Sequence, residues 1–520
     1  MSSLSQVIRR AEQVRPQGVA TRMGGREQTW SQLADRVARL GGALRKLGVA
    51  AGDRVAILAL NSDRYYEFYF GVAWSGGVFV PVNTRLAPAE IVHWLNDSES
   101  SVLMIDDNFL GALAEIEGEL ATVRERIYLG DGPAPEGFSG YEDLIASSSP
   151  VEASIRAGDD LAGIFYTGGT TGRSKGVMLS HRGLTLNPLQ AQPDMGFRPD
   201  DVFLHAAPMF HLADGFFCMA SATIGVASVI LPAFEPTAVL QAIESERITS
   251  CLLVPTMINM VVHHPDIGRF DLSSLRQLLY GASPMPEAVI QRAMEVIPGA
   301  SFLQAYGLTE TSPVLTILGS EYHTTEGPHA GKLKSAGQAV AGVDIVILNE
   351  EGAEVPRGTV GEICARGDNV MLGYWRMEEE TTETLRDGWL HTGDGGYLDE
   401  EGFLFIVDRV KDMIISGGEN VYSAEVENAV QGHPAVAECA VIGVPDEKWG
   451  ERVHVIVRLQ EGQSLTQEEL VEHCRRLIAN FKCPRSMELR EEPLPLSGAG
   501  KILKKDLRSP YWEGRDRAVH

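Results

Sequence analysis

WSQLADRVARLGGALRKLGVAAGDRVAILALNSDRYYEFYFGVAWSGGVFVPVN, residues 30–83, switches periodicity several times within a short span. In WSQLADRVARLGGALRKLGV the apolar residues recur every three or four positions, the stripe of an amphipathic helix. The turn Ala51-Gly52-Asp53 follows. RVAILAL is then a short apolar run bounded by turn residues, which reads as a buried strand. RYYEFYFGVAWSG repeats the helix and VFVPVN the strand. Helices alternating with short apolar strands imply parallel sheets with helices packed on them, because a parallel connection needs a crossover of helical length.

The alternation continues outward from this stretch: SVLMIDD, RIYLG, SVILPAF followed by PTAVLQAIESERITSCLLV, and LRQLLYGAS followed by PEAVIQRAMEVIPG. Beyond Ala336 the texture changes to short strands and tight turns, as in VDIVILNEEGAEVPRGTVGEICARG and GWLHTGDGGYLDEEGFLFIVDR. After Arg409 a compact α+β pattern takes over. The expected fold is therefore α/β: a large N-terminal domain of parallel sheets with packed helices over 1–410, including a β-rich subdomain at about 336–408, and a small C-terminal α+β domain over 411–520.

A chain of 520 residues with 44% hydrophobic content has material for about three or four domain-sized units. A formal charge of −25 argues against a general affinity for nucleic acid or anionic membrane, so an anionic ligand must be recognised locally. Cysteines 218, 251, 364, 439, 474 and 483 have no C-x-x-C or zinc spacing and read as reduced, mostly buried thiols of a cytoplasmic protein. The polar N-terminus lacks the apolar core of a signal peptide. Gly215 to Phe234 is uncharged and about the length that would span a bilayer, but its small residues, Gly225, the β-rich ASVIL and Pro232 favour a buried helix, turn and strand.

FYTGGTTGRSKGVMLSH, residues 165–181, combines glycines that let backbone approach a ligand, threonine hydroxyls and a lysine, a composition suited to phosphate. It is neither a P-loop, since Lys175 follows Ser174 and precedes Gly176, nor a G-x-G-x-x-G turn. By itself it also reads as a surface turn. GASPMP (281–286), QAYGLTETSP (304–313) and HTGD (391–394) are further polar turns that close apparent strands. Taken singly, Tyr306 reads as core packing, Asp394 as a turn cap and Glu310 as a solvated carboxylate. His205 and His211 have no cysteine or carboxylate cluster at zinc-ligand spacing.

As an ordered set, these stretches resemble the acyl-adenylate-forming enzymes, which comprise acyl-CoA synthetases, peptide-synthetase adenylation domains and luciferases. The resemblance runs from about Thr29 to Arg508. It implies that the glycine-rich loop wraps the β- and γ-phosphates of ATP through Thr170, Thr171 and Lys175, with Thr167, Gly169 and Gly172 in the same site. Gly168 stands where the family's commonest form has serine. Adenine falls to Tyr306, flanked by Ala305 and Gly307, and to Gly281-Ala282-Ser283; ribose falls to Asp394 with Arg409 beside it. Thr309 is expected at the α-phosphate, and Glu310 with Thr170 at Mg²⁺, a hard ion that prefers oxygen ligands. His211, in PMFHLAD, lies beside the acyl carboxylate and the thiol channel, and Phe210, Met257 and Gly307 join it in the acyl site. The aspartate that captures an ammonium in amino-acid-activating relatives is replaced, although Asp214 is close in sequence.

DRVKDMIISGGENVYSAEVE (408–427) resembles the family's hinge, with Lys411 at the pivot of a mobile C-terminal domain. PLSGAGKILKKDLR (495–508) resembles the terminal motif whose lysine, Lys501, enters the active site, with Ile502 and Leu503 anchoring its loop. Trp449, Phe481 and Arg485 match nucleotide-contacting positions of aryl-CoA ligases, Arg85 on the large domain joins them at CoA, and Ser416-Gly417-Gly418 is expected to form part of the pantetheine channel, whereas Cys483 departs from an arginine found in one such relative.

The resemblance implies an AMP-forming acyl-CoA synthetase that uses ATP, Mg²⁺ and coenzyme A. Thr170, Glu310, His211 and Lys501 are its expected catalytic residues. A medium- or long-chain fatty acid is the first expectation for its substrate, with arylacrylic, benzoic and short thioether acids behind. A carrier-protein-loading enzyme, a luciferase-like oxygenase and a non-enzymatic adenylate sensor are the competing classes. No carrier segment follows Arg508, and a homodimer stays open as the assembly.

Overall fold

A computed structural model describes residues 2–167, 174–409, 412–416, 419–446, 448–497 and 500–513, the side chains of Arg409 and Asn420 excepted. The helix Trp30–Lys46 starts at a capping box: the Gln32 amide donates to Thr29 Oγ1 (3.3 Å) and the Thr29 amide to Gln32 Oε1 (2.8 Å). Leu33, Val37, Leu40 and Leu44 form its buried stripe. The stripe packs on the helix Asp63–Ser75, where Gly71 makes close approach possible: a Cβ there would lie 2.3 Å from Leu40 Cδ2. Arg54–Leu58 and Val78–Pro81 are parallel strands, as the alternation requires.

Two large sheets result. One has eight strands in the order Gly373–Tyr374, Lys175–Ser180, Leu161–Thr167, Val78–Pro81, Arg54–Leu58, Ser100–Ile105, Glu125–Tyr128 and Ser139–Gly140. The other has nine: Gln338–Ala339, Val314–Leu318, Ser301–Gly307, Gln277–Gly281, Ser250–Leu252, Val202–His205, Ala227–Ile230, Val19–Met23 and Arg26–Thr29. Most neighbours pair in parallel. A third sheet of five strands comprises Val343–Leu348, Gly361–Gly367, Leu385–Arg386, Trp389–Leu398 and Leu404–Arg409, all antiparallel. A smaller C-terminal sheet joins Ile414–Ser416, Glu419–Val421, Val436–Asp446, Gly450–Leu459 and Ser486–Arg490, flanked by the helices Ser423–Gln431 and Gln467–Arg475. The molecule is thus mixed α/β, with a large N-terminal domain of parallel sheets and a smaller C-terminal domain.

The apolar stretch after Gly215 resolves into the helix Leu212–Ile224, a left-handed cap at Gly225 (φ +86°) and the strand Ala227–Ile230. No helix of the described residues is long and apolar enough to cross a membrane. All six cysteines are free and buried.

Candidate active site

Parallel strands end together, and the turns beyond their carboxyl ends form the natural crevice of such a sheet. Gln277–Gly281 delivers Gly281, Ala282 and Ser283, and Ser301–Gly307 delivers Ala305, Tyr306 and Gly307. Thr309 and Glu310 follow in a 3₁₀ turn. These residues line one continuous cavity of about 2600 Å³ together with Arg85, Thr167, Lys175, Phe210, His211, Asp394 and Lys501. The backbones are tightly fitted, since a Cβ at Gly281 would lie 2.2 Å from the Ala305 carbonyl oxygen and one at Gly307 1.8 Å from that of Pro313.

Polar contacts fix the orientation of the key groups. Tyr306 Oη donates to Asp394 Oδ2 (2.8 Å) and Tyr374 Oη to Glu310 Oε1 (2.9 Å). Lys175 extends from the strand facing Thr167, with its ammonium 4.7 Å from the centre of the Tyr374 ring, within cation–π range. The Met371 amide donates to the Glu310 carbonyl (2.8 Å) and Asn369 Nδ2 to the Thr311 carbonyl (2.8 Å), so the 369–374 segment braces the turn that carries Glu310.

His211 caps the helix Leu212–Ile224, its Nδ1 accepting from the Ala213 amide (3.2 Å). Burial, reinforced by the Lys501 ammonium, holds its imidazole down to about 3, so it is neutral at ordinary pH. The Ser497 amide donates to the Lys501 carbonyl (2.7 Å). Gly500 adopts φ +77°, and a Cβ there would lie 3.2 Å from Val254 Cγ2 of the large domain. A glycine therefore lets the loop dock closely and brings Lys501 to the cavity. Ile502 packs beside Leu494 and Leu507, as the anchor expected of it.

Other expected site residues lie elsewhere. Met257 is absent from the cavity wall: it turns into the core around Val254, Ile258 and Val261, while Pro255, Thr256 and Asn259 of the same segment face the cavity. Ser416, Trp449, Phe481 and Arg485 do not line it either. Ser416 pairs with Gly450 in the C-terminal sheet, the Arg485 guanidinium stacks 4.2 Å above the Trp449 ring, and Phe481 is half-exposed. Gly168, Gly169, Thr170, Thr171, Gly172, Lys411, Gly417 and Gly418 fall outside the described residues, as does the Arg409 side chain, although Arg409 pairs with Asp394 in the ladder.

The expectation that His205 stands apart from cysteine and carboxylate is corrected. Its Nδ1 lies 2.9 Å from Asp214 Oδ2 and 3.9 Å from Cys218 Sγ, and its Nε2 3.1 Å from Ser228 Oγ. Both ring nitrogens are thus engaged in a fully buried network that helix packing assembles and sequence spacing hides. Asp214 therefore faces His205 and not the cavity. Tyr374 and Glu362, which brace Glu310 and the HTGD turn, had no local signal in the sequence.

The AMP-binding enzyme family model matches residues 8–375, and the AMP-binding enzyme C-terminal domain model matches 425–501. The chain is 41% identical to a feruloyl-CoA synthase of Amycolatopsis sp over 97% of its length and 98% of the relative's. It is 37% identical to a long-chain-fatty-acid–CoA ligase of Thermus thermophilus, over 93% and 90%. The crystal structure of the anthranilate CoA ligase AuaEII in complex with anthranoyl-AMP superposes with a TM-score of 0.90 at 27% identity, covering 98% of this chain and 97% of that one. The chain accordingly belongs to the AMP-binding enzymes, the acyl-adenylate-forming superfamily, and is an AMP-forming acyl-CoA ligase.

Proposed function

We propose that the protein activates an apolar carboxylic acid, foremost a medium- or long-chain fatty acid, and transfers it to coenzyme A. The observation that carries this reading is an apolar part of the cavity wall. Met195, Phe217, Leu252, Leu279, Leu303 and Ile317 each border the cavity while being at most 6% exposed, and all belong to one hydrophobic core cluster of the large domain. An alkyl chain placed there gains about 0.8 kcal/mol per buried methylene. An α-ammonium group would find no counter-ion in Asp214, which is turned onto His205.

In the first half-reaction the substrate carboxylate attacks the α-phosphorus of ATP and the bond to pyrophosphate breaks. Thr170, Thr171 and Lys175 hold the β- and γ-phosphates, Tyr306 and the 281–283 turn the adenine, Asp394 and Arg409 the ribose, and Thr309 the α-phosphate. Lys501 offsets charge that develops on the phosphate oxygens, as a preorganised cation does without being consumed. Glu310, whose carboxylate is oriented by Tyr374 at the cavity wall, has the hard oxygen chemistry to hold Mg²⁺ with Thr170. The ion when bound supplies neutralisation of phosphate charge. Neutral His211 flanks the acyl carboxylate. In the second half-reaction the small domain pivots at Lys411 and withdraws Lys501. Ser416, Gly417, Gly418, Trp449, Phe481 and Arg485 then join Arg85 in holding CoA, and the thiol sulfur attacks the acyl carbon as AMP leaves.

An aryl acid is the second reading, supported by the 41% identity to a feruloyl-CoA synthase and by Phe216 and Phe217 set edge-to-face at the wall. CoA-dependent AMP release across straight-chain acids of increasing length, ferulate, benzoates and short thioether acids decides the matter. The highest kcat/KM is expected with straight-chain acids; a maximum with ferulate or a benzoate overturns the fatty-acid assignment in favour of the aryl one.

A further inference from the structure

The HTGD segment bulges within the strand Trp389–Leu398 because that strand and its partner Gly361–Gly367 are out of step, while Asp394 stays paired with Arg409 on the other side. Along Gly361–Gly367, Glu362 pairs with Gly395 and Cys364 with His391, so two steps on one strand face four on the other. Residues 392–394 bulge from the ladder as a result, and bulges re-aim side chains at active sites. The bulge aims Asp394 at the cavity and at Tyr306.

A bulge loses ladder hydrogen bonds, and here side chains replace them. Glu362 Oε1 accepts from the Gly393 amide (3.1 Å), at a residue with φ +72°, and Glu362 Oε2 pairs with His391 Nδ1 (2.7 Å). Thr392 Oγ1 donates to the Ile363 carbonyl (2.7 Å) and accepts from the Asp394 amide (3.1 Å). Arg386 closes the group 3.6 Å from Glu362. One carboxylate thus grips the bulge on both sides of Thr392, at His391 and Gly393, three residues and one residue before Asp394.

We infer that Glu362 is a positioning residue for nucleotide binding: through His391 and Gly393 it holds Asp394 where a ribose hydroxyl can donate to it. The inference rests on the proposed ribose role of Asp394, and its test separates the two. Pyrophosphate release is measured with ATP, 2′-deoxy-ATP and 3′-deoxy-ATP for the wild type, Asp394→Ala, Glu362→Ala and the double variant. Glu362→Gln, which keeps the shape and the acceptor for Gly393, guards against loss of folding. Glu362→Ala is expected to raise KM for ATP about ten- to a hundredfold, the worth of hydrogen bonds to a charged group, with a smaller change in kcat. It should also lower the preference for ATP over the deoxynucleotide by the same factor, with Glu362→Gln intermediate. General loosening of the fold would depress all nucleotides alike and leave that preference unchanged. In the Asp394→Ala background, loss of Glu362 should change KM by less than about twofold, because the two act as a unit. Retention of the wild-type preference by Glu362→Ala, or additive losses in the double variant, overturns the inference while Asp394 keeps its role. Retention of the preference by Asp394→Ala overturns the ribose reading and the inference with it.

Discussion

Tyr374→Phe removes the phenolic hydroxyl that donates to the proposed metal-binding carboxylate. The buried Tyr374 ring lies beneath the Lys175 ammonium, 4.7 Å from its centre, and its hydroxyl donates to Glu310 Oε1 at 2.9 Å. Phenylalanine keeps the ring, its packing and the cation–π contact, so Lys175 stays placed. What disappears is a hydrogen bond to a carboxylate, worth about 1.5–3 kcal/mol. Groups that orient a metal-ligating carboxylate typically contribute about 10–100-fold to metal affinity. Pyrophosphate release titrated with Mg²⁺ at fixed ATP should therefore shift to roughly 10–100-fold higher Mg²⁺ and recover its plateau when the ion saturates. Tyr374→Leu removes the ring as well and should lose a further ~0.5–2 kcal/mol in triphosphate binding that Mg²⁺ cannot restore. Superimposable Mg²⁺ titrations of wild type and Tyr374→Phe would refute the assignment of Glu310.

His323 is buried, with Nε2 2.9 Å from Tyr280 Oη and Nδ1 3.0 Å from the Gly319 carbonyl, and burial holds its imidazole down to about 4. Because the folded value lies below the unfolded one of ~6.5, its contribution is complete above that pH and is lost as pH falls toward 4, about 3 kcal/mol in all. Urea unfolding of wild type and His323→Gln should show their difference shrinking from pH 7 to pH 4; parallel curves contradict this. Asp214→Ala should cost about 1–3 kcal/mol of stability by stranding His205, while the enzyme's selectivity between an α-amino acid and its deaminated analogue stays as it was. A changed selectivity in a competition assay would put Asp214 back in the acyl site.

Local pattern carried much of this fold. The strands Arg54–Leu58 and Val78–Pro81 and the helices Trp30–Lys46 and Asp63–Ser75 fall where periodicity puts them, because each buries a face set by its own side chains. Pairing across long separations does not leave such a trace. Val19–Met23 lies parallel to Ala227–Ile230, and nothing in either segment names its partner. The site divides in the same way. The polar breaks at 281–283 and 308–310 were legible at the ends of apolar runs, whereas 304–307, read as part of a turn, belongs to the strand itself. Tyr374 on Glu310 and Glu362 under the HTGD bulge became visible only when separate strands met. Met257 misled because its helix presents neighbouring residues to both core and cavity, and one sequence does not fix which side faces the ligand.

The central claim is that Lys501, at the cavity wall beside Gly500 with its carbonyl bonded to the Ser497 amide, serves adenylate formation alone. Single-turnover assays of Lys501→Ala on the two half-reactions test it directly. Adenylate formation from acid and ATP should fall on the order of 10²–10³-fold, the effect of removing one preorganised electrostatic donor. Thioester formation from supplied acyl-adenylate and CoA should proceed at the wild-type rate. Equal loss of both half-reactions in a folded variant would contradict the account.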